Sequence, residues 1–187
     1  MHNEIKPHLE IEYKTLITET QYKTLLSTYP FGQSFIQTNV YYDTLNKQFR
    51  ALNVSCRIRS VNNSHELTFK VPAKQGKLEH NFIVSSNEVS VFKRMDISQF
   101  MESLGIQADL IQQGILITHR CTLQRSYGEL CLDLNTYNGL MDYELEYELY
   151  GTKQNEGLHD YQSILNQIGL VYEKNAPPKI KRCLSTV

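Results

Sequence analysis

The sequence predicts a mainly antiparallel α+β fold in which about eight strands close into a barrel around a charged tunnel, with helices packed outside. Three observations carry this expectation. Alternation of charged and apolar residues with period two recurs in segment after segment. The charged positions are segregated by sign from one segment to the next. Between the alternating segments lie stretches whose apolar residues fall at helical spacing.

The first strand is read over Leu9–Lys14, where Glu10, Glu12 and Lys14 share one face and Leu9, Ile11 and Tyr13 the other. A helix follows over Glu19–Ser27, with Thr18 or Thr20 as its N-cap. Residues 35–43 are a strand candidate. Ser55–Arg59 and Glu66–Lys70 repeat the alternation, and Pro72 ends the second run. After a strand candidate at 79–84, a helix spans Asp96–Leu104 and stops at Gly105. Residues 115–123 and Glu129–Leu134 are further strands, and Asp142–Leu149 is the most acidic of all. A third helix, Leu158–Ile168, ends at Gly169 and sets Leu158, Tyr161, Ile164, Leu165 and Ile168 at helical spacing. The region around Lys179 is the last strand candidate. A chain of 187 residues is long enough for one good core and short for two, so residues 1–187 are expected to form one domain.

Sign segregation gives the alternation a functional meaning. Arg57, Arg59, Lys70 and Arg120 fall on basic strands, while Glu144, Glu146 and Glu148 fall on an acidic one. A solvated surface intersperses its signs. If the apolar faces meet the outer helices, the charged faces look inward, where each ion is costly unless paired or bound. Divalent cations bridged to a multiply charged anion would satisfy both sets at once, carboxylates holding metal and basic groups holding phosphate oxygens.

Composition excludes other classes. The 19 Lys+Arg and 20 Asp+Glu residues leave a net charge of -1, which argues against a general nucleic-acid or anionic-membrane surface. Residues 1–7 lack the apolar core of a signal peptide and no segment is apolar enough to span a membrane, so a cytoplasmic location is expected. Cys56, Cys121, Cys131 and Cys183 are far apart with no CxxC spacing, and read as reduced wall or core residues. No GxxxxGK[ST] loop is present, so phosphate handling here is not of the P-loop type.

Glu10-Ile11-Glu12-Tyr13-Lys14 resembles the ExExK signature that opens CYTH proteins, the triphosphate tunnel metalloenzymes. Tyr41-Tyr42-Asp43-Thr44 is similar to that family's YYDT segment, Arg57-Ile58-Arg59 to its paired arginines, and Leu67-Thr68-Phe69-Lys70 to its strand lysine. Thr118-His119-Arg120, Leu132-Asp133, Glu144-Leu145-Glu146 and Lys179-Ile180-Lys181 follow in the family's order, so the likeness spans residues 9 to 181. It is nearest to the short stand-alone CYTH proteins of Gram-positive bacteria. The resemblance implies an eight-stranded tunnel that binds a triphosphate, and a divalent-metal-dependent triphosphatase acting on tripolyphosphate or thiamine triphosphate. A class IV adenylate cyclase and a non-catalytic polyphosphate or nucleotide receptor are the alternatives.

Arg57 and Arg59, two positions apart, project their guanidinium forks from one strand face and form a phosphate clamp. By resemblance, Lys70, Arg120, Lys179 and Lys181 complete it. Glu10, Glu12, Asp133, Glu144 and Glu146 offer only hard oxygen ligands, which suits Mg2+ or Mn2+. Asn135 stands where some relatives carry a second acid. Lys14 and Tyr41, by likeness to thiamine triphosphatases, would act on the attacking water. Glu148 and Glu79 are expected behind the ligands or at the tunnel mouth, Arg125 at the surface or in a salt bridge, and His119 away from the lumen. The expected partner is a small triphosphate, with no nucleic acid and no membrane, and the chain is expected as a monomer or homodimer.

Overall fold

The computed structural model describes residues 4–74, 76–151 and 153–185. In chain order the elements are β1 (Glu4–Glu10), β2 (Glu12–Ile17), α1 (Glu19–Thr28), β3 (Phe35–Thr44), α2 (Gln48–Ala51), β4 (Ser55–Val61), β5 (Ser64–Pro72) and β6 (Lys77–Val84). A 3-10 turn at Val89–Lys93 leads to α3 (Met95–Ser103), β7 (Leu110–Gln124), β8 (Gly128–Tyr137), β9 (Leu140–Leu149), α4 (Gln154–Gln167) and α5 (Lys179–Leu184). The strands form one nine-stranded antiparallel sheet in the order β1-β6-β5-β4-β3-β7-β8-β9-β2.

The strand expected over Leu9–Lys14 is in fact two. Its ladder breaks at Ile11: Glu10 pairs with Lys77 on β6, whereas Glu12 pairs with Glu148 on β9. One continuous stretch of chain therefore supplies both edges of the sheet, and the sheet must curl until those edges meet at Ile11. Nine strands replace the expected eight, and the edges meet through the chain rather than through a ladder between β1 and β2. The break also turns Ile11 toward the lumen, against its expected outward face. The free side of β2 is covered, because Ala176 N–H donates to the Lys14 carbonyl at 3.0 Å and Asn175 bonds to the backbone of Glu12 and Lys14. A covered edge does not template further strand pairing.

The alternation read from sequence sorts residues onto the two faces of this curled sheet. On the convex face, Cys56, Ile58, Leu67, Phe69 and Phe82 pack with Ile97 and Met101 of α3, all at most 6% exposed. A second convex core joins Leu130, Leu132, Leu145 and Tyr147 to Leu25 of α1 and to Tyr161, Ile164 and Leu165 of α4. Each such side chain stabilises the fold by about 1.5–3 kcal/mol. Tyr161 is fully buried and its hydroxyl donates to the Leu145 carbonyl at 2.8 Å, so its polar end is satisfied. Thr18 caps α1 with Gln21 in a reciprocal capping box, as expected of one of the two threonines.

α5 departs from the expectation. The region around Lys179 is a helix, not a strand, and it packs on the concave face rather than outside. Pro177 and Pro178 precede it, and proline at a helix start is the local reason for helix here. Cys183 and Leu184 pack with Tyr41 and Leu116. They come so close to β7 that a Cβ on Gly114 would lie 3.0 Å from Leu184 and 3.1 Å from Cys183. Gly114 sits opposite Tyr41 at an irregularity where the β3–β7 register slips by one residue, so the bulge and the missing side chain together admit the helix. All four cysteines are buried thiols, as expected. No helix is long and apolar enough to cross a membrane among the described residues.

Candidate functional site

Because successive strand residues point to opposite faces, the charged members of each strand converge on the concave side. There they line a cavity of about 980 Å³. Glu10, Glu12, Lys14, Tyr41, Arg57, Arg59, Lys70, Arg120, Glu146, Lys179 and Lys181, eleven of the thirteen residues singled out from sequence, all border it. Asp133 and Glu144 do not. Both are fully buried beneath the cavity wall, reached only through their basic partners.

Those partners make a dense network. Arg120 holds Asp133 with both ends of its fork, Nε to Oδ1 at 2.8 Å and Nη2 to Oδ2 at 2.7 Å, and reaches Glu146 at 2.5 Å. The Lys179 ammonium lies 2.9 Å from Asp133 and 2.7 Å from Glu146, and also pairs with Glu144. Burial opposes ionisation of Asp133, but Arg120 and Lys179 outweigh it and hold the carboxyl below its usual range. Glu146 is held well below its range in the same way, by Lys179, Lys14 and Arg120 against burial.

The helical form of α5 corrects one residue and exposes another. A strand would have turned Lys179 and Lys181 to one face. On a helix, Lys179 and Arg182 share the face instead. Arg182 reaches Glu144 at 3.0 and 3.1 Å and Asp142 at 2.9 Å, while Lys181 is exposed at the cavity mouth with no ion pair among the described residues. Arg182 was missed from sequence although Pro177-Pro178 carried the signal that would have found it.

A second network surrounds Lys70, which pairs with Glu10 and with Glu79 at 2.6 Å. Burial raises the Glu79 carboxyl, but Lys70 and Arg57 more than offset it and bring it down to about 2. Lys14 pairs with Glu12 and lies 3.7 Å from Glu146. Burial favours its neutral form, yet these two carboxylates dominate and its pKa rises above the ordinary lysine value.

Arg57 and Arg59 stand apart. Neither guanidinium has a carboxylate within ion-pair distance among the described residues. Arg57 Nε is buried with no hydrogen-bond partner, and Arg59 Nε has only Asn39 Oδ1 at 3.5 Å. Burial, then Arg57 and Arg120, push Arg59 down to about 10. Tyr41, opposite Arg57 in the β3–β4 ladder, faces the same cavity, whereas Tyr42 packs its ring on Phe92 outside. Arg125 pairs with Asp160 away from the lumen, and His119 lies exposed on the convex face, both as expected.

Two groups of carboxylates could hold a cation. Oxygens of Glu10, Glu12 and Glu148 lie within 4.8 Å of one another at the cavity wall, and those of Asp133, Glu144 and Glu146 do so in the interior. Glu148 was expected only behind the ligands or at the mouth.

Comparison with known proteins agrees with this geometry. The CYTH domain family matches residues 8–176. A Bacillus subtilis (strain 168) protein, YjbK, provisionally named a triphosphatase, is 29% identical over 168 residues, 87% of each chain. A Bacillus halodurans crystal structure, provisionally titled an adenylate cyclase, is 29% identical with a TM-score of 0.84, covering 95% of this chain and 98% of that one. A Hippeastrum protein, provisionally named an adenylyl cyclase and described as having a dominant triphosphatase activity, shares the fold at 20% identity and a TM-score of 0.72, covering 95% and 96%. With its signature residues gathered around one charged cavity and a family match over nearly its whole length, this chain belongs to the CYTH domain family.

Proposed function

We propose that this protein is a divalent-metal-dependent triphosphatase that hydrolyses a small linear triphosphate in the charged cavity of about 980 Å³. The observation that carries the reading is the arginine pair. Arg57 and Arg59 are two neighbouring cations with no carboxylate partner among the described residues, facing a cavity of about 980 Å³. Like charges left together in a low-dielectric wall are unfavourable unless an anion joins them, and a phosphate chain matches their forked donors.

The carboxylates suit a hard cation. Every donor in the two groups is oxygen, and Lys179 already shows that Asp133, Glu144 and Glu146 can surround a positive charge. Glu10, Glu12 and Glu148 would hold magnesium or manganese at the cavity wall, with Glu146, Glu144 and Asp133 behind them. When bound, the cation supplies neutralisation of phosphate charge. The chain's own residues do the rest. Arg57 and Arg59 hold the phosphate oxygens, Arg120 and Lys70 border the same space, and Lys14 adds charge as an ammonium. Tyr41 presents its hydroxyl beside Arg57 to orient water. Water attacks the terminal phosphorus in line, its proton passing to a phosphate oxygen, the bridging P–O bond breaks, and the diphosphate leaves with its charge stabilised by the clamp.

One observation favours a second reading, a polyanion receptor without turnover. The interior acids are saturated by Arg120, Lys179 and Arg182, so a cation there must displace an ammonium. The two readings separate in one experiment: phosphate release from tripolyphosphate, thiamine triphosphate and ATP with magnesium or manganese, with chelator, and with Glu148→Gln at the cavity wall. Metal-dependent phosphate release lost in the variant supports the hydrolase. Tight binding with no release leaves the receptor, and cyclic AMP with pyrophosphate from ATP would replace both.

A further inference from the structure

The clamp does not account for all the uncompensated charge on the larger cavity. Arg50 in α2, Lys77 at the start of β6, Lys174 in the segment before α5, and Lys181 on α5 also line it. Lys77 donates to the Asn53 carbonyl at 2.9 Å, and none of the four has a carboxylate partner among the described residues. Burial, aided by Lys70, pushes the Lys77 ammonium below the ordinary lysine value, as befits a cation without a counter-charge. The acids on the same cavity are engaged elsewhere. Glu10, Glu12, Glu146 and Glu148 pair with Lys70, Lys14, Lys179 and Arg120, and Asp43 accepts the backbone N–H groups of Thr44, Phe49 and Arg50.

The opposite end of the lumen has the other sign. A smaller cavity of about 230 Å³ shares Arg57, Arg59, Glu10 and Glu148 with the larger one, and beyond them its charged lining is Glu79 and Glu129, with His8 3.2 Å from Glu79. Moving out from the arginine pair, one direction leads to free cations and the other to carboxylates. An anion too long for the clamp is drawn one way only.

The walls also say what the extension is. Of the aromatic residues bordering the larger cavity, Tyr42 turns its ring to Phe92 and Tyr41 and Phe49 are at most 3% exposed, so no ring face is offered to a nucleobase or another flat organic group. Exposed charge without exposed aromatic surface fits further phosphates.

We propose that the mouth of the larger cavity is a second anion subsite, where Arg50, Lys77, Lys174 and Lys181 hold the phosphates of a linear polyphosphate beyond the three in the clamp. Condensed inorganic phosphates longer than three units are then the preferred ligands. This rests on the proposed function for the placement of the first three phosphates.

The test compares tripolyphosphate with linear polyphosphate of about fifteen units, by calorimetric binding in magnesium and by phosphate release. Wild type is set against the triple variant Arg50→Gln, Lys77→Gln, Lys174→Gln. The wild type should bind the long chain at least about a hundredfold more tightly, and the variant should fall back to the roughly tenfold that the number of binding registers alone gives, while its tripolyphosphate affinity changes less than about twofold. The variant offers a long chain as many binding registers as the wild type, so any loss reflects the removed cations. Equal affinity for both lengths in the wild type, equal weakening of both in the variant, or tighter binding of ATP or thiamine triphosphate than of the long chain would overturn the subsite. Length-dependent binding without phosphate release would sustain the subsite and remove the hydrolase alone; binding of neither phosphate would remove both.

Discussion

The two sides of the lumen grow from the same alternation yet reach opposite electrostatic states. On β8, β9 and α5 the charges are cross-linked: Asp133 by Arg120 and Lys179, Glu144 by Lys179 and Arg182, and Glu146 by Arg120 and Lys179. On β4, Arg57 and Arg59 meet no carboxylate among the described residues. The carboxylate side ties the C-terminal helix to the sheet and so serves the fold. The arginine side is only partly compensated, Arg57 by the nearby charge of Glu79 and Arg59 less so, until an anion arrives. Charge inside this protein therefore has two uses, and removing it should have two different signatures.

The largest effect is expected where the network is closed. Asp133→Ala leaves Arg120 and Lys179 buried with one counter-charge fewer, and should cost about 3–5 kcal/mol in denaturant unfolding. An unchanged midpoint would break the comparison. Arg57→Met should do the reverse, lowering kcat/KM for tripolyphosphate on the order of 10²–10³-fold while leaving the melting temperature unchanged or higher. A fall in stability comparable to that of Asp133→Ala would put Arg57 in the structural class instead.

A smaller effect sharpens the boundary between the two sides. Glu79 sits between Lys70 and the arginines, and its folded pKa lies at about 2 against an ordinary 4.5. A carboxylate with a depressed folded pKa adds stability that is fully present above about pH 4.5 and lost as pH falls toward about 2. Glu79→Gln should therefore lower stability at neutral pH and flatten the acid limb of the stability curve in that window. Parallel limbs for wild type and variant would show that Glu79 is not ion-paired in solution.

Much of this arrangement was legible before any coordinates. Alternation places Arg57, Arg59, Lys70, Glu144 and Glu146 on one face because a strand has a strict period of two. The helices α1, α3 and α4 announced themselves by apolar spacing and by Thr18, Gly105 and Gly169. What was hidden involves long-range geometry. Alternation continues smoothly through Ile11, so nothing local reveals that Glu10 and Glu12 lie on opposite edges of one sheet. Nor does spacing show which buried charges meet: Asp133 and Arg57 read alike as inward-facing ions, yet one is saturated and the other is not. The misreading of Lys179–Lys181 as a strand had a nearer cause. Lys179 and Lys181 alternate about Ile180 as strand residues do, whereas Pro177-Pro178 opens a helix that sets Arg182 on the face of Lys179.

The most direct test is calorimetric titration of tripolyphosphate, with magnesium present, into wild type and into the double variant Arg57→Met, Arg59→Met. Wild type should bind one tripolyphosphate per chain, and the folded variant should bind at least about a hundredfold more weakly. Equal affinity in the two proteins would contradict the assignment of the arginine side as the place where the anion is held.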